Sequence, residues 1–276
     1  MKSFNRDRDF ISMTQIFLIS NDDGVHAKGL AVLAEVLAQL GTVYIVAPHR
    51  ERSGASHSIS LSVPLRLEKM PDRPYSKHVY SVTGTPADCV MMALDQVLPE
   101  KPACVLSGIN RGANLGVDTL YSGTVGAAME AAMMGVLSMA ISSVGHYGDH
   151  FHYETAAQIA RQIFQSRESL SWRPGTVLNL NVPALPLASL KGVVGASLGR
   201  MFHDKSFYQN MDPTGQPYYW LGPLGKEFAP IEDSDCYKID KGFAVVTLLK
   251  PSFLDEEAHP IMCKNLETIT FQGAGP

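Results

Sequence analysis

Apolar residues along this chain fall into two textures that alternate. Short unbroken runs are separated by longer stretches in which apolar positions recur every three or four residues. The runs Ile16-Phe17-Leu18-Ile19, "TVYIVAP" (42–48), "ACVLSG" (103–108), "LSMAISS" (137–143) and "TVLNLNVP" (176–183) have the continuous hydrophobicity of strands covered on both faces. Between them, "AKGLAVLAEVLAQLG" (27–41), "ADCVMMALDQVL" (87–98), "GTVGAAMEAAMMG" (123–135) and "YETAAQIARQIFQ" (153–165) read as helices. Gly41 is placed to stop the first helix and Pro86 to start the second. "SVPLRLE" and "HVYSVTG" predict an antiparallel excursion between the second strand and the second helix. The alternation predicts an α/β fold with a Rossmann-like, mostly parallel sheet and helices on both faces.

From about residue 190 the texture changes. Gly, Pro and aromatic residues rise ("DPTGQPYYWLGPLG"), and strand signals shorten, with "GFAVVTLL" the clearest. The reading divides the chain into an extension at 1–12, expected to be disordered, and a single domain over 13–276. That domain comprises an α/β metal- and phosphate-binding core at 13–189, then a smaller β-hairpin appendage and C-terminal oligomerisation arm at 190–276. Met13 is as plausible an initiator as Met1.

The chain has 276 residues, a net charge of −4, 45% hydrophobic and 18% charged residues, which is ordinary for a globular protein and gives no electrostatic case for binding a nucleic-acid polymer or an anionic membrane. The sequence carries neither a membrane-length apolar segment nor the apolar core of a secretory signal near Met1. Cys89, Cys104, Cys236 and Cys263 lack C-x-x-C spacing, which predicts free thiols in a reducing compartment. The expected location is cytoplasmic.

Candidate chemistry gathers at strand exits. In open α/β sheets the loops at the carboxyl ends of the strands converge on one crevice. There the first strand delivers Asn21, Asp22 and Asp23, the second "HRERSGASHS" with Ser53, and the third "SGINRGANLG" with Asn110 and Asn114. "YSGTVGAAME" then opens a helix with Ser122 or Thr124 near its cap. Adjacent carboxylates repel unless a cation lies between them, although an aspartate capping the first helix is the plainer alternative. Carboxylate, amide and hydroxyl oxygens are hard ligands suited to Mg²⁺, Mn²⁺ or Ca²⁺. The helix start offers an anion site, with Gly123 and Gly126 expected to let an anion approach the backbone. A cation beside a phosphate pocket suits phosphomonoester hydrolysis, with phosphate meeting Ser122, Gly123 and Thr124 near Asn114. One of Asp22 and Asp23 can serve as a base instead of a ligand.

Other features carry less. "GHYGDHFHYE", with His146, Asp149, His150 and His152, reads better as a solvated loop than as a metal site, and His26 and His57 read as local hydrogen-bonding residues. Arg50 and Arg52 suit either phosphate or solvent.

"SNDDGVHAKGL", "VAPHRERSGASHSIS", "GTPADCV", "SGINRGANLGVDTLYSGTVGAAME" and "LNLNVP" resemble, in order and spacing, the SurE family of stationary-phase survival proteins. The resemblance covers residues 13–185 closely. It implies a divalent-metal-dependent 5'-nucleotidase that converts nucleoside monophosphates to nucleoside and phosphate; some members also take 3'-nucleotides and short polyphosphate. Carried onto this sequence, the family's ligands for one Mn²⁺ or Mg²⁺ per subunit fall on Asp22, Asp23, Ser53 and Asn110. The family further implies homodimers or homotetramers that exchange a C-terminal arm. Lys28 stands where the family usually has proline, and "EDSDCYKID" and "VVTLLKP" depart from its C-terminal pattern. Tyr218-Tyr219-Trp220 resembles a family pattern and is expected to serve packing more than base stacking. Two other classes remain: a nucleotide sensor without turnover and a metal-dependent nucleotide-sugar glycosyltransferase.

Overall fold

Nine strands form one twisted sheet in the computed structural model, which describes residues 15–145, 150–202, 207–221, 227–228, 231–252 and 254–266. The expected extension at 1–12 and the alternative start at Met13 lie outside the described residues. The central strands are β1 (Ile16–Ser20), β2 (Thr42–Pro48), β5 (Cys104–Arg111), β6 (Ser138–Val144) and β7 (Val177–Pro183). All five run parallel, in the order β2-β1-β5-β6-β7. Their uninterrupted apolar stretches are buried throughout, as two-sided covering by helices requires.

Two helices cover each face. Helices α1 (Lys28–Leu37) and α4 (Tyr153–Gln165) pack together on one side through Leu30, Leu33, Leu37, Ile159 and Ile163. Phe17 of β1 meets Phe164 of α4 edge to face, 4.9 Å between ring centres, an arrangement that contributes about 0.5–1.5 kcal/mol beyond burial. On the other side α2 (Pro86–Met92) and α3 (Gly123–Met133) present Cys89, Val90, Ala127 and Ala131 to Leu18, Val46 and Val105. Pro86 occupies the first turn of α2. Thr85 and Asp88 close a reciprocal capping box there.

The antiparallel excursion is present but belongs to the main sheet. Strand β3 (Leu67–Lys69) pairs antiparallel with β4 (His78–Val82), and β4 lies parallel to β2, extending the sheet to one edge. "GFAVVTLL" supplies β13 (Ala244–Leu249), which runs antiparallel to β7 and parallel to β8 (Val193–Gly195). Both complete the opposite edge. Burial of Ala244, Val245 and Leu249 against core side chains draws β13 there. Two antiparallel pairs stand outside the main sheet: β9 (Met201–Phe202) with β12 (Glu227–Phe228), and the hairpin of β10 (Phe207–Met211) with β11 (Pro217–Leu221), which leaves Tyr218, Tyr219 and Trp220 exposed. The short helix α5 (Asp235–Asp240) packs Cys236 and Ile239 against Val245 of β13, and helix α6 (Ala258–Leu266) is exposed along its length, Ile261, Met262 and Leu266 included.

The chain moves from β1 to β2 on one side, while β5 pairs on the other. Loops leaving β1 and β5 therefore part and leave a crevice between them, the position at which open α/β sheets bind ligands. Cys89, Cys104 and Cys236 are buried free thiols, and Cys263 is an exposed one. Among the described residues no helix is long and apolar enough to cross a membrane.

Candidate functional site

The turn that carries the paired aspartates is built by Asn21. Its buried amide donates to the Gly24 carbonyl at 3.0 Å and accepts the Gly24 N–H at 3.1 Å. Gly24 has φ +97°, and a β-carbon there would lie 3.2 Å from the Arg50 carbonyl carbon, so the turn packs on the loop leaving β2. Asn21 thus shapes the turn, and its side chain is committed to that task. Neither aspartate caps α1: the cap position is Ala27, with no side-chain hydrogen bond. Lys28 simply opens the helix.

Asp22 is 4% exposed. Its carboxylate accepts from the Thr124 hydroxyl, and the backbone N–H groups of Gly123 and Thr124 also favour its ionised form. Burial outweighs these contacts and raises its carboxyl above the usual range. Asp23 is half-buried and accepts the Arg111 N–H at 3.2 Å. Burial first, and the neighbouring Asp22 charge second, push its carboxyl up to about 6. Among the described residues no lysine or arginine forms an ion pair with either aspartate. A buried carboxylate beside a half-buried one, without a cationic partner, is what a bound cation would stabilise.

Ser53 and Asn110 come from the two flanking loops. The Arg52 N–H donates to the Asp22 carbonyl at 2.7 Å, which fastens the β2 exit to the β1 exit just before Ser53. Ser53 is exposed, and its hydroxyl donates to Glu51 at 2.8 Å. Asn110 sits where the β5–β6 register shifts, and its amide nitrogen donates to the Gly112 carbonyl at 3.1 Å. The structure thus brings the strand exits bearing Asp22, Asp23, Ser53 and Asn110 together. The side-chain donors are all oxygen, suited to a hard divalent cation. No group of three or more His, Cys, Asp and Glu able to hold a metal occurs among the described residues.

On the anion side, Ser122 is the N-cap of α3 and accepts the Val125 N–H at 3.1 Å. Side chains are excluded at both glycines of this turn by neighbouring protein atoms. A β-carbon on Gly123 would lie 2.9 Å from the Asp22 β-carbon, and one on Gly126 would lie 2.5 Å from the Ser56 carbonyl oxygen. Their empty space is taken by the protein itself: Gly123 admits Asp22, and Gly126 admits the loop leaving β2. Thr124, likewise, is engaged with Asp22.

Asn114 is buried within a polar network. Its N–H donates to Asn181 at 2.9 Å, its amide nitrogen donates to Ser142 at 2.8 Å, and its carbonyl accepts from Asn179 at 2.8 Å and Asn181 at 3.0 Å. Asn179 and Asn181 were not singled out as site residues from sequence. Two asparagines alternating inside an otherwise apolar buried strand were the available signal, since buried amides need partners.

The remaining candidates have protein partners of their own or lie outside the described residues. Arg52 donates from its guanidinium to the Thr83 carbonyl at 3.0 Å, a structural contact. His57 pairs with Glu130 at 2.7 Å, and His26 accepts from Arg73 at 3.3 Å. His150 and His152 stack edge to face at 4.7 Å; His146 and Asp149 lie outside the described residues.

A family model described as "Survival protein SurE" matches residues 17–205. The "5'-nucleotidase SurE" of Vibrio parahaemolyticus is 46% identical over 243 residues, covering 88% of this chain and 90% of that protein. The protein of the same name from Coxiella burnetii is 44% identical over 241 residues, covering 87% and 91%. The crystal structure of the SurE protein from Aquifex aeolicus superposes with a TM-score of 0.78 at 34% identity, covering 91% of this chain and 99% of that one.

Proposed function

The chain belongs to the SurE family, and from that premise we propose that it is a 5'-nucleotidase, a phosphoric monoester hydrolase that converts nucleoside 5'-monophosphates to nucleoside and phosphate. The observation that carries this reading is the pair Asp22, buried, and Asp23, half-buried, side by side at the strand-switch crevice and unpaired by lysine or arginine among the described residues. Asp22, Asp23, Ser53 and Asn110 would hold one divalent cation per subunit, Mn²⁺ or Mg²⁺. When bound, it neutralises charge on the phosphoryl oxygens and lowers the pKa of the attacking water.

The protein's own groups do the rest. Asp22, backed by Thr124 and the first amides of α3, is fixed in place, and Asp23 is held beside it by the Arg111 N–H; whichever of the two is not engaged by the cation is placed to take a proton from the attacking water. Ser122, Gly123 and Thr124 orient the phosphate at the positive end of α3, with Asn114 behind them. Asn21 shapes the turn that presents both aspartates. The core at 13–189 supplies this chemistry, and 190–276 supplies the hairpin and the arm of a homodimer or homotetramer. Activity on 3'-nucleotides and short polyphosphate and a cytoplasmic location complete the proposal.

Phosphate release from a panel of nucleoside monophosphates, measured after chelation and again with Mn²⁺ or Mg²⁺ restored, tests the reading. Metal-dependent release supports it. Nucleotide binding without release under any metal would favour a sensor instead.

A further inference from the structure

A serine hydroxyl that serves as a metal ligand must send its proton elsewhere, because it has one proton and two lone pairs and a cation needs a lone pair. Here the acceptor is two residues away. The Ser53 hydroxyl donates to the Glu51 carboxylate at 2.8 Å. We propose that Glu51 is a positioning residue which, by accepting the Ser53 proton, turns the oxygen lone pairs of Ser53 toward the cation. The inference rests on the reading that Asp22, Asp23, Ser53 and Asn110 hold that cation.

The intervening residue makes the arrangement specific. Arg52 is fastened at its N–H to the Asp22 carbonyl at 2.7 Å and by its guanidinium to the Thr83 carbonyl at 3.0 Å. With Arg52 held at both ends, its neighbours Glu51 and Ser53 are left to reach one another across it. Further on, Ser56 donates from its hydroxyl to the Leu120 carbonyl at 2.5 Å and from its N–H to the Tyr121 carbonyl at 3.0 Å. The loop is therefore anchored on both sides of Ser53, and Ser53 is exposed between the anchors. A loosely rotating hydroxyl at that point would be a poor ligand; the carboxylate fixes its rotamer. Glu51 also lies close enough for its charge to bear on Asp23. Outer-shell acceptors of this kind commonly carry part of a site's metal affinity.

The test is calorimetric titration of Mn²⁺ into the full-length, metal-stripped protein. The variants are Glu51→Ala, Glu51→Gln, Ser53→Ala, the Glu51→Ala/Ser53→Ala double variant and Asp23→Asn, each checked for an unchanged melting temperature in chelator. Glu51→Ala should weaken Mn²⁺ binding roughly 10-fold. Glu51→Gln keeps an accepting oxygen and should recover most of that loss. In the Ser53→Ala background, Glu51→Ala should cost nothing more. Unchanged affinity in Glu51→Ala overturns the proposal. So does an equal loss in Glu51→Ala and Glu51→Gln, or an equal loss with and without Ser53, because each would make Glu51 a source of charge alone. The Asp23→Asn arm separates this from the underlying reading: Mn²⁺ binding by the wild type that Asp23→Asn abolishes upholds the cation site whatever Glu51 does. Absence of binding by the wild type removes both.

Discussion

The Thr124 hydroxyl donates to the Asp22 carboxylate across 102 residues of sequence, tying the first turn of α3 to the exit of β1. The bond joins the helix proposed to meet phosphate to the aspartates proposed to hold the cation, coupling the two halves of the proposed site. Thr124→Val keeps the shape and removes the donor, leaving a buried carboxylate one partner short. Chemical denaturation should show a loss of about 1–3 kcal/mol in the metal-free protein, with a smaller deficit when Mn²⁺ is present.

Removing one of two adjacent carboxylates, one buried and one half-buried, relieves their repulsion. Asp23→Asn should therefore leave the metal-free protein at least as stable as the wild type while phosphate release falls on the order of 100-fold or more. Denaturation in chelator and a phosphate-release assay at saturating metal read the two effects separately. Near-normal turnover at limiting metal would remove Asp23 from the cation site.

Gly126 is where the loop leaving β2 rests on α3, with the Ser56 carbonyl where a side chain would begin. Gly126→Ala puts a β-carbon 2.5 Å from that oxygen and must push the loop outward. Overpacking of this kind costs about 1–3 kcal/mol. Because the displaced loop carries Ser53, titration of Mn²⁺ should show weaker binding while Asp22 and Asp23 are unaltered.

Asp88 governs acid sensitivity on the same side of the sheet. It is buried, and burial alone would raise its carboxyl. Hydrogen bonds from Thr85 and from both the N–H and hydroxyl of Ser60 outweigh that and hold it below the ordinary carboxylate range. A carboxyl lowered by folding contributes stability above its unfolded value of about 4 and loses it as pH falls through the folded value. Asp88→Ala should thus cost about 1–3 kcal/mol near neutral pH, and its deficit against the wild type should shrink in denaturation series taken below about pH 4.

In the Asn114 network, Asn181→Leu leaves the Asn114 N–H without its acceptor and takes one donor from the Asn114 carbonyl. A stability loss of about 1–3 kcal/mol follows from the unpaired buried groups. If Asn114 lies behind the phosphate as proposed, KM for nucleoside monophosphates should rise more than kcat falls.

Much of this architecture was legible because local pattern and tertiary demand agree. The five parallel strands advertise two-sided burial through unbroken apolar runs, and Thr85-Pro86 with Asp88 marks a helix start by capping chemistry alone. What failed to show in sequence depends on distant partners. Nothing within "GFAVVTLL" says that it enters the main sheet beside β7, since strand direction and neighbour are set by the whole fold. Gly123 and Gly126 looked like room for an anion, and only their neighbours Asp22 and Ser56 reveal what fills that room. Glu51 sits among Arg50 and Arg52 as one more charge, and its bond to Ser53 depends on how Arg52 is anchored.

Strand β13 runs antiparallel to β7, with Leu249 opposite Val177, the first residue of that strand. The chain therefore leaves β13 at the end of the sheet opposite the crevice, the end at which β1 begins at Ile16. A surface tether or fusion joined near Gln15 would attach at the end of the sheet away from the crevice, leaving the catalytic mouth facing the bulk solution. The fold is in this sense already oriented for immobilisation.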